Sequence, residues 1–125
     1  MKIIKEWNGC KLLEPDIYED NRGHFYESFN FSWFNEHVKN FIPLQINESY
    51  SKYGVFRGMH FQDDPYAQAK IVKVVEGEVL DFALDLRKYG KYGEFKYVKL
   101  SKENKRQFYI PRDRKSTRLN SSHLL

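Results

Sequence analysis

Cysteine is almost missing from this 125-residue chain: Cys10 stands alone, so no intramolecular disulfide can form. A lone thiol fits a reducing compartment, and the expected location is the cytoplasm. Long apolar runs are missing too. No stretch approaches the about 18 residues that a membrane-crossing helix needs, so a helical span is excluded. The opening "MKIIKEWNGCKLLEPD" has neither a sustained apolar segment nor a small-residue cleavage motif, and it is not read as a signal peptide. Residues 1–112 hold no internal repeat and no low-complexity linker. At this length one ordinary domain is expected and two are excluded.

Aromatic residues are plentiful by contrast: 10 Phe, 9 Tyr and 2 Trp favour a sheet-rich core over a helical bundle. From Pro43 onward the text reads as strand after strand. "LQINESYS" leads through a Lys-Tyr-Gly turn to "VFRGMHFQ", and the polar "DDPYAQ" to "KIVKVV". A tight "EGE" turn then gives "VLDFALDLR", and beyond "KYGKYG" follow "EFKYVKLS" and "RQFYIP". In "VLDFALDLR", Leu80, Phe82, Leu84 and Leu86 alternate with Asp81, Asp85 and Arg87, so the two sets occupy opposite faces. The two aspartates are read as partners of Lys or Arg on a solvent or cavity face, with no chemistry assigned. Earlier, Asp20-Asn21-Arg22-Gly23 marks a turn into a further strand, and "SWFNEHVKN" predicts a short helix capped by Ser32. Short strands at intervals of about 8–12 residues predict an all-β fold, a sandwich or jelly-roll barrel.

The net charge of +4 invites a nucleic-acid reading, but the tail "DRKSTRLNSSHLL" carries part of it. Back-translated, "DRKSTRLNSSH" reads a common short-read sequencing adapter in one frame, so residues 113–125 are expected to be read-through, not natural coding sequence. Without that segment's three Lys/Arg and one Asp the net charge falls to +2. No Lys/Arg cluster interleaves with aromatics as a nucleic-acid groove requires. Neither nucleic acid nor membrane is an expected partner.

The chemistry concentrates in "GVFRGMHFQ" and the lysine that opens "KIVKVV". Cupin-type jelly rolls often write a metal site as His-x-His, a short spacer, Glu, six residues, Gly. Here the text is His60-Phe61-Gln62, a seven-residue spacer, Lys70, six residues, Gly77. A divalent metal needs several imidazole or anionic ligands, and an ammonium in place of a carboxylate repels it. No metal is expected, and metal-dependent oxygenase chemistry is disfavoured. A lone imidazole can take a proton near neutral pH, and a neighbouring ammonium can hold a developing oxyanion. Together they fit proton abstraction from a carbon beside a carbonyl. Taken alone, a histidine and a lysine in strands are more often ordinary structural residues. "RGHFYESF", "QINESYS" and "RGMH" add Arg22, Glu27, Gln45, Asn47 and Arg57, an unusual density of hydrogen-bonding groups.

The segments "EDNRGHFYESF", "QINESYSKYGVFRGMHFQ", "AQAKIVKVVEGEVLDFALDLR" and "LSKENKRQFYIP" resemble the dTDP-4-dehydrorhamnose 3,5-epimerase family in order and spacing, over residues 10–111. The resemblance implies a cupin-like jelly roll, incomplete at the C-terminus, with residues 1–112 its N-terminal two-thirds. It implies inversion at C3 and C5 of dTDP-4-dehydro-6-deoxy-glucose, without cofactor. His60 would be the base and Lys70 would face the C4 keto oxygen. Arg22, Phe25, Glu27, Gln45, Asn47 and Arg57 would bind the dTDP-sugar, the arginines on diphosphate and Phe25 on the base, although Phe25 is as simply a core residue. It also implies a homodimer, with the N-terminal segment contributing to the neighbour's site, and a place in making rhamnose-type sugars for polysaccharide. In the family a tyrosine acid, an acidic partner of the base and a second histidine follow "YIP"; here "YIPR" runs into the tail. This chain alone is therefore expected to fold poorly and to be nearly inactive. The rival readings are a mono-epimerase, a 3,4-ketoisomerase and a non-catalytic nucleotide-sugar-binding jelly roll.

Overall fold

The computed structural model describes residues 1–38, 41–60, 68–85, 92–111 and 116–122, and only the backbone of residues 58–60 and 116–122. Its first element is a hairpin, β1 (Lys2–Trp7) and β2 (Cys10–Glu14), turned through Asn8 and Gly9. Both turn residues have left-handed backbone, φ 46° and 80°. That is the twist a two-residue hairpin needs, and Asn-Gly supplies it at least cost. The sequence pattern alone does not mark these two segments as strands.

A second hairpin, β3 (Ile17–Asp20) and β4 (Gly23–Tyr26), forms where the Asp20–Gly23 turn was expected. Asp20 closes the turn by accepting the Arg22 N–H through Oδ1 at 2.8 Å. Helix α1 (Phe31–His37) follows. Its cap is Asn30, not Ser32: Asn30 is extended and its Oδ1 accepts from Trp33 N–H at 3.1 Å, whereas Ser32 lies within the first turn. The expected strand "LQINESYS" is not formed. Residues 41–52 carry no regular structure, and Leu44 and Ile46 are 91% and 89% exposed. The alternation that reads as a strand is present, but among the described residues no main chain pairs with it.

The remaining strands are β5 (Phe56–His60), β6 (Lys70–Lys73), β7 (Glu78–Asp85), β8 (Phe95–Ser101), β9 (Gln107–Ile110) and β10 (Ser116–Ser122). The first four-stranded sheet runs β1-β2-β9-β6 and the second β5-β10-β7-β8, with antiparallel neighbours in both; β3-β4 is a sheet of its own. Among the described residues the architecture is all-β with one short helix, in line with the expected fold class. The strand pattern does not stop at Pro111, however: β10 lies in mid-sheet although its sequence is polar.

The core lies between the two sheets. Cys10, Leu12, Phe108 and Ile110 of the first sheet meet Ala83 and Leu100 of the second. A second cluster covers the other face of the first sheet, where Phe34 and Val38 pack on Leu13 and Tyr109. Each fully buried large apolar side chain here is worth about 1.5–3 kcal/mol against exposure. The alternation in β7 places Ala83, Asp81 and Asp85 on the buried face, at 0%, 0% and 3% exposure. Leu80, Phe82 and Leu84 stand half-buried on the opposite face. The aspartates are therefore on the inner face, and not in solvent. Leu86 and Arg87 lie outside the described residues.

Candidate active site

Two strand ends define the site. His60 closes β5, and Lys70 opens β6 after the connection. Alternation sets the direction of Lys70: Val72, two residues on, packs in the core between the sheets, while Ile71 packs in the cluster under α1. Lys70 is thus on the inner face of the first sheet, half-buried, with Ile110 as its strand partner. The Gly77 turn that returns the chain to β7 has φ 77°, a backbone that favours glycine. This fits the sequence reading of a tight turn at that position. The side chain of His60 lies outside the described residues, and so does Gln62. The backbone of His60 registers opposite Arg118, which in turn registers opposite Ala83 on the buried face of β7.

Arg57, on the same strand as His60, is exposed but held. Its Nε donates to Ser51 Oγ at 2.7 Å and its terminal nitrogen donates to the Tyr50 carbonyl at 3.0 Å. That contact ties the irregular arm of residues 41–52 to β5. Within the arm Gln45 Nε2 donates to Asn47 Oδ1 at 3.2 Å, and both side chains are exposed. The structure thus ties Arg57 to Tyr50 and Ser51, at the end of the arm that carries Gln45 and Asn47.

Arg22, Phe25 and Glu27 belong to a different group, on and just after the separate hairpin. Arg22 donates to Asp20 Oδ2 through both Nε and a terminal nitrogen. This ion pair and the Arg22 backbone N–H hold the Asp20 carboxyl below its usual range, and the carboxylate raises the guanidinium in turn. Phe25 is 70% exposed, so it is not a core residue in this chain. It registers opposite Tyr18, 66% exposed, giving the hairpin one open aromatic face. The other face docks: Lys73 Nζ stands 4.8 Å from the Tyr26 ring centroid, and Gln107 Nε2 donates to the Ser28 carbonyl at 2.7 Å.

Sequence reasoning missed one arrangement at the far end of β7. Asn8 Nδ2 donates to the nearly buried Asp85 carboxylate at 3.2 Å, and Trp7 Nε1 donates to Glu94 at 3.3 Å. The first hairpin therefore clamps the second sheet. The Asn8-Gly9 pair was the available signal. Among the described residues no group of three or more His, Cys, Asp or Glu could hold a metal ion, and no helix is long and apolar enough to cross a membrane.

A family model described as dTDP-4-dehydrorhamnose 3,5-epimerase matches residues 5–116. The dTDP-4-dehydrorhamnose 3,5-epimerase of Methanothermobacter thermautotrophicus is 47% identical over 105 residues, 83% of this chain and 56% of that protein. A crystal structure of dTDP-4-dehydrorhamnose 3,5-epimerase from Elizabethkingia anophelis NUHP1 is similar with TM-score 0.81 and 37% identity, covering 100% of this chain and 75% of that one. Another, of dTDP-6-deoxy-D-glucose-3,5-epimerase RmlC from Legionella pneumophila Philadelphia 1 in complex with dTDP-4-keto-L-rhamnose, has TM-score 0.76 and 33% identity, covering 98% of this chain and 71% of that one. The chain spans little more than half the length of the Methanothermobacter relative.

Proposed function

The chain belongs to the dTDP-4-dehydrorhamnose 3,5-epimerase family, and from that membership we propose that it carries the proton-abstracting machinery of a nucleotide-sugar epimerase. The reaction inverts C3 and C5 of dTDP-4-dehydro-6-deoxy-glucose. His60 takes the hydrogen as a proton from the carbon beside the C4 ketone, and the C–H electron pair moves into an enolate. Lys70 holds the enolate oxygen. Return of a proton to the opposite face of the carbon completes the inversion. Neither metal nor redox cofactor takes part, because the ketone acidifies the α-carbon and an ammonium supplies the counter-charge. The observation that carries this reading is the half-buried Lys70 on the inner face at the start of β6, where cupin-type sites place a ligand carboxylate.

Gln45 and Asn47 contact the sugar and the diphosphate from the arm, Arg57 from β5, and Arg22 and Glu27 from the hairpin and the residues just after it. Phe25 packs on the thymine. Its open aromatic face, with Arg22 one turn away, favours a homodimer in which the hairpin reaches the neighbouring copy's site. The proposed location is the cytoplasm, in line with the lone Cys10. The segment 113–125 is proposed to be read-through, and this chain by itself to be a poor catalyst.

The test is a chimera joining residues 1–111 to the corresponding remainder of the Methanothermobacter relative. Incubated in deuterated water with the 4-keto sugar, it should wash label into C3 and C5, followed by NMR, and His60→Asn should abolish the exchange. Label appearing undiminished in the His60→Asn protein would remove His60 from the role of base. Label at C3 alone would make the activity a mono-epimerase.

A further inference from the structure

Glu27 lies one residue past the end of the β3-β4 ladder, whose last pair sets Ile17 opposite Tyr26. Residues 27–30 belong to no strand, so sheet pairing does not set the direction of Glu27. Its two neighbours are fixed by other means. Tyr26 and Ser28 are half-buried while Phe25 and Glu27 are exposed, which carries the two-residue period of β4 past its end. Both inward residues are gripped from one cross-strand pair of the first sheet, Lys73 of β6 opposite Gln107 of β9. Lys73 Nζ stands 4.8 Å from the Tyr26 ring centroid, and Gln107 Nε2 donates to the Ser28 carbonyl at 2.7 Å.

The two gripping residues are themselves held. Gln107 is nearly buried and alternates with Phe108 of the inner core, so it shares the outer face of the first sheet with Tyr109. Its amide has given up rotamer freedom on folding and presents its donor in one place. The Tyr26 ring has a second ammonium near it, Lys105 Nζ at 6.0 Å, and stacks on His24 at 6.1 Å between centroids. Beyond Ser28 the chain enters α1 through its cap Asn30, with Phe29 packed 4.7 Å from Phe34 between ring centroids. Glu27 is therefore an exposed carboxylate between two anchored residues.

We propose that Lys73 and Gln107 are positioning residues for substrate binding: by gripping Tyr26 and Ser28 they point Glu27 outward at the nucleotide sugar, a role that rests on the reading of Glu27 as a substrate contact. They act through the main chain of residues 26–28 and not by touching the sugar. Their effect belongs to binding, before the α-proton leaves, and so falls on KM and not on the chemical step.

The test uses the chimera in steady state with the 4-keto sugar, and in calorimetry with dTDP-glucose, which has no ketone and cannot react. Gln107→Leu removes the donor and keeps the bulk, and Lys73→Met removes the ammonium and keeps the stem. Each should raise KM and the dTDP-glucose Kd on the order of tenfold, as remote misplacement of a contact does, with kcat within about twofold of wild type. Lys73→Arg keeps a cation over the ring and should restore both values. In a Glu27→Ala background, Gln107→Leu should add less than about twofold to KM, because both changes remove one contact. Effects that multiply in the double variant would overturn the proposal, and so would a fall in kcat at unchanged KM. If Gln107→Leu loses its circular dichroism and has not folded, the Lys73 variants decide, and an unchanged KM in Lys73→Met overturns the proposal. Failure of the epimerase reading looks different. A chimera that exchanges no label yet loses dTDP-glucose affinity in Lys73→Met keeps the grip and loses the reaction, whereas normal exchange with unchanged affinity and KM does the reverse.

Discussion

Lys70 is the residue whose environment bears most directly on the proposed chemistry. On the inner face and only half-buried, it keeps access to solvent while bordering an apolar core that includes Val72, Phe108 and Ile110. An ammonium at such a border strengthens its attraction for a developing enolate relative to bulk water. Methionine keeps most of the aliphatic stem, so Lys70→Met should fold normally. In the chimera its kcat should fall by about 10²–10³, in line with losing one oxyanion donor. KM should change little, because the interaction belongs to the transition state. A raised KM with kcat preserved would make Lys70 a substrate anchor and nothing more. A second residue-level effect concerns stability. Arg106 Nε donates to Glu14 Oε2 at 3.0 Å, and this contact, ahead of a smaller contribution from Lys2, holds the Glu14 carboxyl below its ordinary 4.5. A depressed acid stabilises the fold above its unfolded-state value and loses that contribution as pH falls through the lower folded-state value. The stability gap between wild type and Arg106→Gln should therefore narrow as urea titrations move from about pH 6 to about pH 3. A gap independent of pH would mean that Arg106 acts through packing.

Among the elements, the first hairpin has more structural consequence than its six-residue first strand indicates. Its Asn8 turn joins the two sheets by reaching Asp85, and it does so from left-handed backbone. Asn8→Ala should cost about 1–2 kcal/mol, from the unfavourable φ and from the lost hydrogen bond to a nearly buried carboxylate. Asn8→Gly removes only the hydrogen bond and should cost less. Equal losses in chemical denaturation would mean that the turn conformation contributes nothing. This hairpin also marks where sequence reading failed and why. Asn-Gly is a strong hairpin signal, but β1 has Lys2, Lys5 and Glu6 among its six residues and does not look like a strand. In β7 the reading succeeded because one face of the strand is buried, which enforces a period of two. Its polarity was legible only in part: the sequence separates Asp81 and Asp85 from Leu80 and Leu84 without saying which set faces the core. The 44–51 arm shows the reverse error. Leu44 and Ile46 alternate with polar residues, yet a strand exists only where another main chain lies beside it, and one sequence does not show its neighbours. The cap was misplaced by two residues because Asn30 and Ser32 are both good capping residues, and φ decided between them. Of the candidate site, the strand placement of His60, Arg57 and Lys70 was legible. The separation of Arg22 and Phe25 onto a detached hairpin was not, because that depends on sheet order.

For the whole molecule, the apolar surface is the feature that a single copy leaves unexplained. Tyr18 and Phe25 are exposed on one face of a hairpin that forms a two-stranded sheet of its own. A two-stranded ribbon is marginal in water by itself, and this one is anchored mainly along its opposite face by Tyr26 and Ser28. Ile42, Leu44, Ile46, Tyr50 and Tyr53 extend the exposed apolar surface along the arm. Stable dimers bury about 1,200–2,000 Å² in total, and an exposed apolar surface marks where such an interface is to be sought. Sedimentation equilibrium of the chimera should therefore give a dimer, and Tyr18→Ser with Phe25→Ser should shift it to monomer with unchanged circular dichroism. The two forces that could drive association separate by salt. The charged partners on this hairpin, Arg22 and Asp20, already satisfy each other within one copy. Apolar contact should then dominate, and the dimer constant should vary little between low salt and about 0.5 M sodium chloride, where exposed charge pairs are largely screened. If the dimer instead dissociates in salt and tolerates the double substitution, Arg22 and its neighbours hold the interface, and the aromatic face must be reserved for ligand alone.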